Sequence, residues 1–184
     1  MIEALRGPLK LFESTAKCPV CGGESLEVSV YMYFIPYFGN IVMYIYSCGN
    51  CGFKSSNVGV LEEGKPKRVI VRVRGEKELR YIVVKPAKAS IRIPEVSLEY
   101  TPGPYSTGYI TTIEGILHEF QEAASIACQH AETPECPKIL DWLKRAIEGS
   151  VEFTLEMCDY EGTGKIAGEE VVETDVNECG RAES

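Results

Sequence analysis

Cys18–Pro19–Val20–Cys21–Gly22–Gly23 and, further along, Cys48–Gly49–Asn50–Cys51–Gly52 decide how the first third of this chain is read. Each stretch holds a Cys-x-x-Cys pair, and 26 residues separate Cys21 from Cys48. Two thiolates three positions apart grip one side of an ion only where the chain turns sharply, and glycine opens the φ > 0 backbone that such turns use. Two matched pairs supply the four ligands of a tetrahedral Zn²⁺ site, each sulfur at roughly 2.3 Å from the ion. A redox dithiol accounts for one pair and leaves the second without a role. Cys18, Cys21, Cys48 and Cys51 are therefore the candidate ligands of one structural zinc, closed to substrate and water.

Between the pairs, Leu26 to Phe34 and Ile41 to Tyr46 are rich in β-branched and aromatic residues. They predict the two strands of a zinc ribbon, with the metal turns at one end and a hairpin connection at the other. The connection, Ile35–Pro36–Tyr37–Phe38–Gly39–Asn40, carries two large aromatics on a turn. Exposed aromatics are favoured protein anchors, so Ile35, Pro36, Tyr37 and Phe38 are candidate partner-binding residues. The other reading packs Tyr37 and Phe38 against the second half of the chain to fix its orientation. In the 17 residues before the ribbon, Leu5, Leu9, Leu11 and Phe12 would lay a short segment against it.

Beyond Cys51 a polar stretch, Lys54 to Gly64, precedes further strands. Val69, Val71 and Val73 alternate with Arg68, Ile70, Arg72 and Arg74, the period of a half-buried strand. Leu79 to Lys85, Ala89 to Ile93 and Val96 to Tyr100 read as additional strands, with Pro86 and Pro94 confining two of them to edges or ends. The period then changes. Ile113, Ile116, Leu117, Phe120, Ala124, Ala127 and Cys128 share one face of a helix opened by Thr111-x-x-Glu114, the pattern of a capping box. A second helix follows Thr133–Pro134, with Ile139, Leu140, Leu143, Ala146 and Ile147 inward and Gly149 as its stop. Strands return with Val151, Phe153, Leu155 and Met157; Asp159 to Gly164 is a turn, and Lys165 to Val172 would pair back. The division expected is an N-terminal segment (1–17), a ribbon (18–60), a β-domain with a helical hairpin at about 112–148 (61–172), and a fraying acidic tail (173–184).

The formal net charge of −8 argues against general phosphate binding, but its distribution is uneven. Gly64 to Arg92 holds ten Lys or Arg and two Glu; Glu148 to Ser184 holds eleven acids and two bases. Either the basic segment is a nucleic-acid stripe, or the two segments face each other and pair across a sheet. Cys128 and Cys136 flank the helix turn; they read either as a disulfide or as small buried side chains. Cys158 and Cys179 show no regular spacing. No run approaches the roughly 18 apolar residues that span a bilayer, and charges interrupt the N-terminus, so a cytosolic location is expected.

Enzymatic readings find little to use. Gly162–Thr163–Gly164–Lys165 has Asp159 where a P-loop needs its first glycine and Ile166 where it needs Ser or Thr. His118 and His130 both fall on the first helix, which offers neither a strand-borne metal triad nor a Ser/His/Asp constellation.

Three stretches together resemble the ZPR1-type zinc-finger family. They are the four-cysteine ribbon with Ile35–Pro36–Tyr37–Phe38–Gly39 inside it, Val84–Lys85 through Ala89–Ser90–Ile91–Arg92–Ile93–Pro94–Glu95–Val96–Ser97–Leu98–Glu99, and Ile110–Thr111–Thr112–Ile113–Glu114–Gly115–Ile116–Leu117. The resemblance runs from about residue 15 to 172 and looks like the shorter, archaeal form with one ribbon-plus-domain unit. It implies a mainly β protein: a zinc ribbon followed by a double-stranded β-helix domain bearing a helical hairpin. It also implies a non-enzymatic, zinc-binding role around translation elongation factor 1A, whose folding the eukaryotic members assist. A nucleic-acid-binding ribbon accessory in translation or transcription is the alternative.

Overall fold

The computed structural model describes residues 7–35, 39–60, 64–130 and 133–177. Its first unit is a four-stranded antiparallel sheet: β1 (Leu9–Ala16), β2 (Leu26–Ile35), β3 (Gly39–Cys48) and β4 (Lys54–Val60), in that spatial order. The central hairpin β2–β3 is the pair expected from the β-branched runs. The two edge strands are a finding of the structure. The segment before the ribbon pairs along β2 from Leu9↔Met32 to Ala16↔Leu26, and the polar stretch after Cys51 pairs along β3. Both escape a periodicity reading because an edge strand is held by its backbone ladder and shows little alternation when its side chains stay in solvent.

The second unit begins with β5 (Lys67–Val73), whose Val69, Val71 and Val73 are buried on one face as the alternation predicts. A single helical turn, α1 (Glu76–Leu79), follows, and Leu79, expected to open the next strand, enters the core as the last residue of that turn. There follow β6 (Ile82–Lys85), β7 (Ser90–Ile93), a 3₁₀ turn at Pro94–Val96, β8 (Leu98–Tyr100) and β9 (Tyr109–Thr112). The helical hairpin is α2 (Ile113–His130) and α3 (Cys136–Ile147), and the chain closes with β10 (Phe153–Asp159), β11 (Lys165–Ala167) and β12 (Val172–Asp175).

These strands form two antiparallel sheets, ordered β12-β5-β10-β7-β8 and β11-β6-β9. Val69, Val71, Phe153, Leu155 and Met157 from the larger sheet share one core with Val83 and Ile166 from the smaller and with Ile113, Leu117 and Leu143 from the helices. Two expectations are revised. Residues 165–172 do not pair back on β10; β11 joins β6 and β12 joins the far side of β5, so the turn after β10 carries the chain from one sheet to the other. Glu173 and Asp175, expected in a fraying tail, are strand residues of β12.

The start of α2 also differs by one residue. β9 continues to Thr112, which pairs with Ile82, and the Thr112 hydroxyl accepts the Gly115 N–H at 3.1 Å. The cap is therefore Thr112, while a Cβ on Gly115 would run into the Thr111 hydroxyl. At the end of α3 the expected stop is present: Gly149 has φ 68°, its N–H bonds Ala146, and the next N–H bonds Arg145.

The two units meet through Ile41 and Val58 of the ribbon sheet, packed on Val84 with Ile110 and Ala167 alongside. A strut from the β8–β9 connection reinforces the contact: Gly108 donates to Asn57 Oδ1 at 2.6 Å and accepts from the Val58 N–H at 3.2 Å. A Cβ at Gly108 would collide with the Val58 carbonyl, so this approach requires glycine.

Candidate metal centre and the surfaces around it

Both metal turns have the same construction. Gly22 N–H bonds the Cys18 carbonyl at 2.9 Å and Cys18 N–H bonds Gly23; Gly52 N–H bonds Cys48 at 3.0 Å and Cys48 N–H bonds Phe53. Gly22 and Gly52 occupy matching left-handed positions, φ 71° and 74°. Pairing of Leu26 with Cys48 in the β2–β3 ladder then brings the two turns together.

The four sulfurs lie within 4.8 Å of one another, with Cys18–Cys51 and Cys21–Cys48 each at 3.8 Å. A tetrahedron with metal–sulfur bonds near 2.3 Å has edges of about 3.8 Å, so the cluster matches the geometry of one Zn²⁺. Cys18 and Cys48 are buried and Cys21 and Cys51 exposed.

The electrostatics make the same demand. The Ser25 hydroxyl, followed by the Cys51 N–H, stabilises the Cys48 thiolate and lowers its pKa to about 6. The Gly23 N–H and the Asn50 side chain favour the Cys21 thiolate. The Phe53 N–H favours the Cys51 thiolate too, yet desolvation and three adjacent sulfurs outweigh it and push that pKa up to about 12. Four adjacent thiolates are incompatible without a central cation, which is the charge a divalent metal brings. One metal ion fits this site, and all four positions of a tetrahedral ion would be taken.

Cross-strand register divides the ribbon sheet into two unlike faces. Ile41, Met43, Tyr33 and Val58 point toward the second unit. The opposite face carries Leu9, Phe12, Val28, Val30, Met32, Phe34, Val42, Tyr44 and Tyr46. Every charged side chain of the four strands, Lys10, Glu13, Glu27 and Lys54, falls on the first face and none on the second. Leu9, Phe12 and Phe34 are 55%, 57% and 67% exposed, and Tyr44 is 37% exposed. Near the cysteines this face has its own small core of Leu26, Val28, Tyr46 and Phe53. Of the partner-binding candidates, Pro36, Tyr37 and Phe38 lie outside the described residues; Ile35 ends β2 beside exposed Phe34. The outward face was not legible beforehand, because alternating apolar residues in β2 read equally well as a buried face.

Five of the ten basic side chains of the basic segment pair with carboxylates outside it. Lys67 binds Glu173 at 2.9 Å, Arg72 binds Glu95 at 2.8 Å and Glu152 at 3.5 Å, Arg74 binds Glu170 at 2.6 Å, Lys77 binds Glu169 at 2.5 Å, and Lys88 binds Glu161 at 3.2 Å. Five of those carboxylates come from the acidic C-terminal segment, as the pairing alternative requires. A cation held by a neighbouring carboxylate releases little on meeting a phosphate, so the stripe loses its main argument.

The glycine-rich turn after β10 is organised from within. Asp159, fully buried, accepts the backbone N–H groups of Glu161, Thr163 and Gly164 at 2.9, 2.5 and 2.6 Å. Donors that a phosphate would need are already taken by this carboxylate. His118 and His130 are both exposed on α2. Among the described residues the metal-capable cluster is the four cysteines. Cys128 and Cys136 are joined as a disulfide that ties α2 to α3. No helix among the described residues is long and apolar enough to cross a membrane.

Comparison with known proteins matches these two units separately. Residues 12–63 fit the ZPR1 zinc-finger domain and residues 77–179 the ZPR1 jelly-roll domain. An uncharacterised ZPR1-like protein of Methanocaldococcus jannaschii is 35% identical over 166 residues, covering 88% of this chain and 84% of its own. A second, from Pyrococcus horikoshii, is 30% identical over 162 residues, with 84% and 73% covered. The zinc finger chaperone zpr1 of Schizosaccharomyces pombe is 31% identical over 163 residues; the match takes in 84% of this chain and 34% of that longer protein.

Proposed function

This chain belongs to the ZPR1 family, and from that membership we propose that it is a non-enzymatic, zinc-dependent protein that binds translation elongation factor 1A and assists its folding or maturation. Cys18, Cys21, Cys48 and Cys51 hold the zinc, which keeps the ribbon sheet folded and so keeps its outer face presented. The family provides a chaperone, the fission yeast protein, as precedent for the class of activity.

The observation that carries the reading is that outer face, where Leu9, Phe12, Phe34 and Tyr44 are exposed and no charged side chain intervenes. Contiguous uncharged apolar surface on a folded protein marks a protein contact. An incompletely folded factor has the complementary property, apolar surface not yet buried. Ile35, Pro36, Tyr37 and Phe38, which follow Phe34 in the chain, extend the contact. Release follows closure of the factor when it binds nucleotide, and the encounter takes place in the cytosol.

Refolding of denatured elongation factor 1A in the presence of the purified chain tests this. Wild type is expected to capture the factor and raise its refolded yield. Phe12→Glu with Tyr44→Glu, and separately Tyr37→Ala with Phe38→Ala, should abolish capture while bound zinc stays at one per chain. Undiminished capture by both zinc-loaded variants would overturn the proposal.

A further inference from the structure

A cleft of ≈ 640 Å³ lies on the inner side of the ribbon sheet, between β3, β4 and the loop that joins β8 to β9. Ile45, Ser47, Lys54 and Ser56 line it from the sheet, and Thr107 lines it from the loop. The four sheet residues share the face of Met43 and Val58, since Ser56 pairs with Ile45 and Lys54 with Ser47. Hydrogen bonds fix the loop wall. The Ser106 hydroxyl accepts the Gly103 N–H at 2.9 Å and lies 2.9 Å from the Tyr100 hydroxyl.

The backbone of β4 says what this cleft is shaped to take. β4 is an edge strand, with β3 as its neighbour in the sheet. In an antiparallel ladder alternate residues turn both N–H and C=O away from the partner strand. Phe53 gives its carbonyl to the Cys48 N–H, so Ser55 and Asn57 bond β3 in the same phase, and the backbone groups of Lys54, Ser56 and Val58 face outward. Val58 confirms the phase, because its N–H is taken at 3.2 Å by the Gly108 carbonyl of the second unit. Among the described residues no backbone group does the same for Lys54 or Ser56. Two donors and two acceptors are thus left in line with a rung that the fold has already filled. The opposite edge strand, β1, shifts register between Lys10 and Phe12, whereas β4 runs along β3 without a shift.

Charge narrows the choice of occupant. Among the described residues Lys54 is the one charged side chain lining the cleft, and it has no ion pair. Glu27 stands on the far side of Ser47, on β2, and the loop from Thr101 to Gly108 has no charged residue. A lysine on a sheet edge discourages pairing with a basic strand and accepts an acidic one.

We propose that β4 takes up an extended segment of a partner polypeptide as a fifth strand of the ribbon sheet, seated in this cleft with an acidic side chain over Lys54. Backbone bonds to Ser56 and Lys54 give the affinity, and the ammonium beside them gives the selectivity. The cleft is on the face opposite Phe12 and Tyr44, so the inference stands whether or not the outer face binds elongation factor 1A.

Titration of the full zinc-loaded chain with acetyl-Thr-Val-Asp-Val-Thr-amide, followed by NMR at the Lys54 and Ser56 amides, tests the assignment. Both amides should shift, and the fully N-methylated peptide, which has no N–H to donate, should not bind. Replacing the peptide's Asp by Asn should weaken binding about threefold in wild type and make no difference in Lys54→Gln. Ser56→Pro removes an outward N–H that the β3–β4 ladder does not use, so zinc should be retained. Affinity, read at the Lys54 amide, should fall about tenfold in that variant. Equal binding of the N-methylated peptide, equal wild-type affinity for the Asp and Asn peptides, undiminished binding by zinc-loaded Ser56→Pro, or no response at Lys54 and Ser56 overturns the proposal.

Discussion

The ribbon and the jelly-roll reach stability by opposite routes. At its metal end the ribbon buries Cys18, Leu26 and Cys48, backed by Val28, Tyr46 and Phe53, and much of one sheet face is left in solvent. The jelly-roll closes two sheets and two helices around a continuous core in which Val69, Val73, Ile113, Leu143, Phe153, Leu155 and Met157 are fully buried. At roughly 25 cal/mol per Å² of apolar area, the second arrangement draws more of its stability from burial than the first. The difference teaches why the metal stands where it does. A sheet that keeps an apolar face outward has given up the burial that would otherwise hold it, and four metal–sulfur bonds replace it.

Metal removal should therefore break the two halves apart in their response, and this is the largest effect expected. Structural zinc contributes on the order of 10–16 kcal/mol of apparent folding free energy in small zinc-finger peptides. A chelator strong enough to strip the ion should abolish amide protection across residues 18–51. Protection at Val69, Val71 and Leu155 should persist. Retained protection in β2 and β3 of the metal-free chain would mean that the ribbon's small core suffices, and the contrast would fail.

The converse perturbation is Leu155→Ala. Leu155 is fully buried on β10, the strand between β5 and β7 in the larger sheet. Truncation should cost about 2–5 kcal/mol in denaturant unfolding of the jelly-roll, with zinc content unchanged. Coincident loss of zinc at the same denaturant concentration would show the halves unfolding as one unit. A smaller effect sharpens the account of the hairpin: Thr112→Ala should cost about 1 kcal/mol through loss of the α2 cap. Thr111→Ala, which removes the other candidate hydroxyl, should cost less; the reverse order would restore the capping-box assignment.

How much of this was legible in the chain follows from the range of the forces involved. The metal turns were, because two glycines beside two cysteine pairs specify local geometry that no distant contact needs to supply. The core strands β5 and β10 were, because burial on one face imprints a period of two on Val69–Val73 and Phe153–Met157. The helical hairpin was, through its 3.6-residue period. Edge strands β1 and β4 were not, since Lys54–Ser55–Ser56–Asn57 has no alternation to betray a ladder made by backbone groups alone. The Thr111/Thr112 shift was not, because how far β9 continues depends on where β6 begins, at Ile82 opposite Thr112, and no local pattern records that.

The basic and acidic segments mark the boundary between the two kinds of information. Their opposite charges could be counted in the sequence, and pairing was one of two readings; the choice required β5 to lie between β10 and β12.

By itself, then, the sequence determined the metal cluster, the alternation of the central strands and the helical insertion, because each rests on residues close together in the chain. Tertiary structure alone decided which face of the ribbon is turned outward. Leu26, Val28, Val30, Met32 and Phe34 alternate as cleanly as any core strand, and apolar periodicity is silent on what covers it. Docking of the opposite face on Val84, Ile110 and Ala167 covered that face and left Phe12, Phe34 and Tyr44 facing water.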